Sequence, residues 1–164
     1  VMKVVDAGWM AFRQDPPGGN VGLWQKDQHF GAEMVDEPGG FCWNELVTRD
    51  IEKAREFFGQ LLGWEFADNP HSPSRYYIIK NGGDDNGGLM QMDEAWGDIP
   101  PHWMVYFAVK NADETAQKAS SLGGNIFVPP FDTIVGRIAV LADPQGASFS
   151  VIQLAEQASP GAEA

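Results

Sequence analysis

The sequence predicts an α+β fold in which a unit of strand, helix and three strands occurs twice. Two capped helical segments recur at the same spacing, and each sits between a strand-like run and a series of short strands with turn clusters. A length of 164 residues, 43% hydrophobic and 21% charged, suits one domain with a sizeable core and argues against wholesale disorder.

Phe41 to Thr48 (FCWNELVT) reads as the first strand of the repeat, and Asp50 follows as a helix N-cap whose carboxylate can accept from the free first-turn amides. Ile51, Ala54, Phe57, Phe58, Leu61 and Leu62 then recur at helical spacing, and Gly63 stands where a left-handed residue would end the helix. Trp64 to Ala67, Tyr76 to Lys80 and Gly88 to Met92 are the next strands, separated by turn clusters at Asn69 to Ser74 and Asn81 to Gly87. The pattern restarts at His102. HWMVYFAV is a strand, Asn111 the cap, Thr115, Ala116, Ala119 and Leu122 a narrower apolar stripe, and Gly123 and Gly124 its end. Strands at Asn125 to Val128, Arg137 to Leu141 and Ser148 to Gln153 follow, with a turn at Asp143, Pro144, Gln145 and Gly146.

The first 25 residues carry a further echo. GWMAFRQDPPGGNVGLWQ (Gly8 to Gln25) aligns without gaps to GRIAVLADPQGASFSVIQ (Gly136 to Gln153), so residues 1–25 read as an orphan β-hairpin, the end of a preceding module whose remainder is absent. A hairpin alone is marginal, and its open edges need a partner in this chain or another. Residues 26–40 read as a linker, residues 41–154 as the complete two-unit module, and residues 155–164 as a frayed tail.

Charge narrows the partners. With 11 Lys+Arg against 23 Asp+Glu the formal net charge is −12, and no basic run is present, so nucleic acid and anionic membrane surfaces are not expected partners. The single cysteine, Cys42, cannot form an internal disulfide, no apolar stretch reaches the length of a spanning helix, and Val1 to Trp9 lacks the marks of a secretion signal. A cytoplasmic location is the expectation.

The strand-to-Asp50 helix start, FFGQLLGWEF (Phe57 to Phe66), SLGG (Ser121 to Gly124) and ADPQGASFSVIQ (Ala142 to Gln153) together resemble the vicinal oxygen chelate superfamily of glyoxalases, bleomycin-resistance proteins and extradiol dioxygenases. The resemblance covers Phe41 to Gln153. It implies paired βαβββ units forming a curled, barrel-like sheet around a cavity, with helices on the outside. It also implies a divalent metal held by His, Gln or Glu from the first and last strands of each half. At the matching positions this chain has Trp43, Met104 and Ser150, with Met90, Gln91 and Met92 as candidates in the remaining strand. Indole and hydroxyl are poor ligands for zinc or iron(II), and thioether suits copper(I), so no metal or other cofactor is expected. A divalent metal would require a different register.

Strand alternation in that register turns Trp43, Glu45 and Val47, then Met104, Tyr106 and Ala108, toward the cavity, with Leu46, Val105, Phe107 and Val109 beneath the helices. The expected ligand-binding set is therefore Trp43, Glu45, Met90, Met92, Met104, Tyr106 and Ser150. An apolar concave site with one carboxylate suits a small, cationic or amine-bearing aromatic molecule. The same large side chains could equally fill a closed core. Three functions stay open: metal-independent binding, for sequestration or sensing; a lyase, dioxygenase or isomerase, the last with Glu45 as base; and an assembly module using the N-terminal hairpin. A homodimer, formed through that hairpin, is the expected assembly. His29, His71 and His102 are isolated and read as surface or structural residues, and Cys42 as an inert thiol on the helix side of its strand. Asp84, Asp85 and Asn86 read as a flexible acidic turn, and Asp93 to Pro101 as the connector between halves.

Overall fold

A computed structural model of the chain describes residues 1–155; the tail expected to fray lies, beyond Ala155, outside the described residues. The described residues form a mixed α+β fold. Three strands come first: β1 (Met2–Val4), β2 (Gly8–Gln14) and β3 (Asn20–Lys26). The first βαβββ unit is β4 (Phe41–Thr48), α1 (Ile51–Leu62), β5 (Glu65–Asp68), β6 (Tyr76–Asn81) and β7 (Asp84–Gln91). The second is β8 (His102–Ala108), α2 (Ala112–Ser121), β9 (Asn125–Thr133), β10 (Gly136–Ala142) and β11 (Ser148–Leu154). A 3-10 turn, Glu94–Trp96, capped by Asp93, lies in the connector. By contacts the chain divides into two compact units, residues 1–33 with 43–105 and residues 34–42 with 106–155.

In the first compact unit, β5, β6 and β7 pair antiparallel in series, and β7 pairs in parallel with β4 through Glu45–Gly88 and Val47–Met90. Asp50 caps α1 by accepting from the Lys53 amide at 3.1 Å, and Gly63 ends the helix at φ 70°. The periodic residues bury against the sheet: Leu46, Ile51, Ala54, Phe58, Tyr77, Ile79 and Leu89 form one core, with Trp64 and Trp103 packed against it. Phe58 is its centre, stacked on Trp64 with centroids 5.4 Å apart and edge-on to Trp103 at 5.8 Å. The turn expected over Asn81 to Gly87 shrinks to Gly82 and Gly83. Both have positive φ, a two-residue hairpin turn, and Asp84, Asp85 and Asn86 are strand rather than a flexible acidic turn. The period-2 signal was hidden there because Lys80 pairs with Asp85 across the hairpin, so polarity comes from a cross-strand ion pair.

In the second compact unit, β11 lies between β8, to which it is parallel, and β10, and β9 forms the outer strand. Ala116, Ala139, Leu141 and Val151 make its core beneath α2. Leu122, expected in the apolar stripe, is 69% exposed because α2 ends at Ser121, and Ala112 takes the buried place instead. Strand β9 runs on to Thr133, past the expected end at Val128. Its pairing with β10 jumps from Val128 to Phe131, so Pro129 and Pro130 occupy a bulge where no ladder amide is required. Val105, expected beneath the helices, is 36% exposed. Trp103 packs on the α1 core and Phe107 on Phe149, leaving Val105 between those two contacts.

Two glutamines repeat one device. Gln91 Oε1 accepts from the Ile51 amide at 3.1 Å and Gln153 Oε1 from the Ala112 amide at 3.2 Å, so each helix start is tied to the closing strand of its own unit.

The N-terminal segment carries a third strand, β1, paired with β2, where a two-stranded hairpin was expected. Its β2–β3 turn reproduces the β10–β11 turn. The Asp15 and Asp143 amides each donate to the carbonyl of the residue four on, their carbonyls each accept from the amide of the residue three on, and each side chain accepts from two turn amides. The N-terminal turn is docked: Val21 packs on the α1 core and Asp15 is 3% exposed. Burial pushes the Asp15 carboxyl above the ordinary range, against the lowering effect of the Gly19 and Gly18 amides. A carboxyl raised in the folded state stabilises most below its unfolded value, near pH 4, and that contribution is lost as pH rises through the folded value. Asp15→Asn keeps the Oδ1 acceptor and removes the buried charge. Urea unfolding is expected to show this variant more stable than wild type at pH 7, with the difference shrinking toward pH 4. Asp15→Ala, which loses both hydrogen bonds, is expected to cost about 1–3 kcal/mol.

Candidate ligand-binding site

The first compact unit gathers one polar cluster on the sheet face opposite α1. Register places Glu45, Val47, Gly88 and Met90 on that face, and Tyr76 pairs with Met90 across β6 and β7. Trp43 lies two residues before Glu45 and shares its face. The Trp43 indole Nε1–H donates to the Tyr76 hydroxyl at 3.1 Å, and that hydroxyl in turn donates to the Glu45 carboxylate. Glu45 is 7% exposed. Burial first, then the neighbouring Glu45 charge, pushes the Tyr76 phenol up, outweighing the Trp43 bond. Tyr76 is therefore a neutral donor throughout the ordinary pH range.

Gly88 makes this arrangement sterically available. A Cβ at that position would overlap the Tyr76 hydroxyl and Cζ, so only glycine lets the phenol lie across β7. Tyr76 was not among the residues expected at the site. The usable signal was the alternation in YYIIK, which sends Tyr77 and Ile79 to the helix-side core and leaves Tyr76 and Ile78 on the other face, together with a glycine inside a strand.

Of the other expected residues, Met90 is half-buried on the same face, while Met92, just past the end of β7, and Met104 on β8 are both buried. Gln91 is turned away: its side chain bonds the Arg49 and Met92 carbonyls and the α1 start. Arg49, just past the end of β4, donates to the carbonyls of Asp93, Gly97 and Ile99 and fastens the connector. In the second compact unit Tyr106 pairs with Ser150 across β8 and β11. Ser150 is fully buried, and its hydroxyl has no hydrogen-bond partner among the described residues. Cys42 is half-buried, its thiol 3.4 Å from the Tyr106 carbonyl, and burial pushes it up to about 11, so it stays protonated at neutral pH. His102 Nδ1 lies 2.8 Å from the Pro100 carbonyl, with its ring beside Trp96.

The donor set does not fit a chelated divalent metal. Among the described residues no group of three or more His, Cys, Asp or Glu is placed to hold one ion. The cluster instead offers one carboxylate, a phenol, an indole and thioethers. A separate open groove of about 510 Å³ runs along the outer side of α1, lined by Glu52, Arg55, Glu56, Gly59, Gln60 and Phe66. Its charged groups are engaged, Arg55 with Glu52 at 2.6 Å, and it does not include Trp43, Glu45 or Tyr76.

The family model for the Glyoxalase/Bleomycin resistance protein/Dioxygenase superfamily matches residues 40–151, the whole of both βαβββ units up to the middle of β11. The chain belongs to that superfamily. Among superfamily relatives, the glyoxylase-like protein CFP32 of Mycobacterium tuberculosis is 44% identical over 154 residues, covering 93% of this chain and 58% of that protein. The anthracycline biosynthesis protein DnrV of Streptomyces peucetius is 39% identical over 155 residues, covering 94% of this chain and 56% of that protein. The chain thus spans little more than half the length of these relatives. Among solved structures, the 2,3-dioxygenase LapB of Pseudomonas sp. KL28 superposes with a TM-score of 0.59 at 16% identity, over 98% of this chain and 63% of that one. A methylmalonyl-CoA epimerase of Streptomyces coelicolor superposes at 0.52 with 19% identity, over 76% of this chain and all of that one. At these identities the structures establish a shared fold and nothing about chemistry. No helix among the described residues is long and apolar enough to cross a membrane.

Proposed function

We propose that this superfamily member binds a small organic molecule carrying an aromatic ring and a positive charge, without a metal, and acts by sequestering or sensing it. The observation that supports this reading is the Trp43–Tyr76–Glu45 chain on one sheet face. The three groups supply a π-surface, a fixed neutral hydroxyl and a buried carboxylate, and at the positions where the family resemblance implies His, Gln or Glu ligands the sequence carries Trp43, Met104 and Ser150. A cation over the Trp43 indole gains about 0.5–2 kcal/mol, and an ammonium reaching Glu45 adds a charge-assisted hydrogen bond. The name of the Streptomyces relative suggests polycyclic aromatic compounds as a class to try first.

The test is a titration with daunorubicin, which joins a polycyclic aromatic system to an aliphatic amine that is charged at pH 7, followed by tryptophan fluorescence. Saturable quenching is expected in wild type. Trp43→Ala should weaken binding about tenfold, and Glu45→Gln should weaken the amine more than its N-acetylated, neutral analogue. Absence of saturation, or an unchanged affinity in both variants, would count against the assignment.

A further inference from the structure

We infer that the chain forms a two-fold homodimer through β9, the outer strand of the second compact unit, with the apolar edge of one copy packed against the same edge of another. The inference is independent of ligand binding at Trp43, Tyr76 and Glu45, and it uses a surface other than the N-terminal hairpin. It rests on a difference between β9 and β5, which hold the same place in the two βαβββ units.

Each of these strands follows the helix of its unit, and among the described residues β5 pairs only with β6 and β9 only with β10. An open edge of this kind is normally kept short or charged, because its free main-chain groups would otherwise recruit another strand. Strand β5 follows that rule. It has four residues, carboxylates at both ends in Glu65 and Asp68, and its one aromatic ring, Phe66, packs on the α1 core. Strand β9 does not. It runs for nine residues, and Phe127, which matches Phe66 in the repeat, is 59% exposed. Ile126, Val128 and Phe131 in the strand, and Ile134 and Val135 in the turn after it, are exposed as well. Over residues 119–136 the only charged side chain is Asp132, and Arg137 holds it at 2.9 Å.

The exposed area is of the size a dimer needs. With roughly 150–200 Å² for a fully exposed residue of this kind, these six side chains, 38–74% exposed, leave on the order of 500 Å² of apolar surface. That is near the top of the roughly 300–600 Å² a monomer leaves in its largest patch. Pro129 and the open main-chain edge extend it toward the roughly 800 Å² that each partner gives to a stable interface. Charge favours a second copy as the occupant. A net charge of −12 makes two copies repel over their general surface, whereas the β9 edge is nearly free of charge and can meet itself. A two-fold axis near Pro129 and Pro130 lays Ile126 to Val128 of each copy against the Phe131 end of the other. It also keeps the two Asp132 carboxylates on the order of 15 Å apart, beyond a Debye length at physiological salt. Neither proline carries an amide, so the contact does not become a continuous ladder that a third copy could extend. Apolar side chains carry it, and the assembly closes at two.

Sedimentation equilibrium of the intact chain tests the assignment. A monomer–dimer equilibrium with a dissociation constant of about 1 µM or below is expected. Raising salt from about 0.05 M to about 0.5 M should tighten it several-fold, because the two copies carry charge of the same sign. Phe127→Asp and Ile134→Asp each bring a carboxylate to both sides of the axis and should weaken association by about 100-fold or more. Both side chains are exposed in the single chain, so circular dichroism and the unfolding midpoint should stay at wild-type values. If one variant is damaged, the other decides. Phe12→Asp, at an exposed position of β2, should leave the dimer intact. A wild-type chain that stays monomeric up to about 100 µM would overturn the assignment, and so would a dimer that survives both β9 variants. Loss of the dimer in Phe12→Asp but not in Phe127→Asp would move the contact to the N-terminal hairpin, and growth beyond two copies would contradict the closed two-fold contact.

Discussion

Gly88→Ala is expected to abolish tight ligand binding, by at least tenfold, and to cost about 1–3 kcal/mol of stability from overpacking. The added methyl meets the Tyr76 hydroxyl, which must leave its place between Trp43 and Glu45. Once the phenol moves, the Trp43 indole N–H loses its acceptor and Glu45 loses a neutral donor. The effect then extends from one methyl group to all three polar groups on the face. Tyr76→Phe removes the atom that is struck hardest, so in that background the further cost of Gly88→Ala should be smaller. Urea unfolding of the two single variants and the double variant measures that coupling, and additive costs would show that the phenol does not lie over Gly88.

Phe58→Ala is the substitution expected to damage the fold most. The ring is about 1% exposed and contacts Phe57, Trp64 and Trp103 at once. Its removal leaves a cavity that three aromatic neighbours cannot collapse into, at a cost of about 3–5 kcal/mol, or roughly 10 °C in thermal midpoint for a chain of this size. Leu61→Ala, one turn on but 47% exposed, serves as the control and should change stability by less than about 1 kcal/mol. Equal losses in the two variants would mean that the helix does not present Phe58 to the sheet.

The strand–cap–helix pattern was legible because each of its signals is local. Asp50, Asn111 and Gly63 act within a turn of their own positions, and α1 runs between the expected cap and the expected glycine. The turn homology of residues 8–25 with 136–153 was legible for the same reason, since an Asp that caps its own turn leaves the same mark wherever it occurs. Expectation failed where partners distant in sequence decide the outcome. Asp84 to Asn86 looked like loop because their polarity serves a cross-strand neighbour, and β9 outran Val128 because a bulge absorbs two prolines. In the site, alternation along β4 placed Trp43 and Glu45 on one face without help from any other strand. Tyr76 required the β6–β7 register, which no single strand encodes, and Gln91 took the helix side because the amide it caps lies 40 residues away.

The central claim is that an organic cation is held by Trp43, Tyr76 and Glu45 and that no metal takes part. Calorimetric titration of chelator-treated protein at pH 7 tests it most directly, with daunorubicin and its N-acetylated analogue injected in turn, before and after zinc, manganese or iron(II) is added back. One site per chain, preference for the charged compound, loss of that preference in Glu45→Gln and indifference to metal are the predicted results. Binding that appears only after one of these ions is restored, with that ion bound stoichiometrically, would contradict the claim.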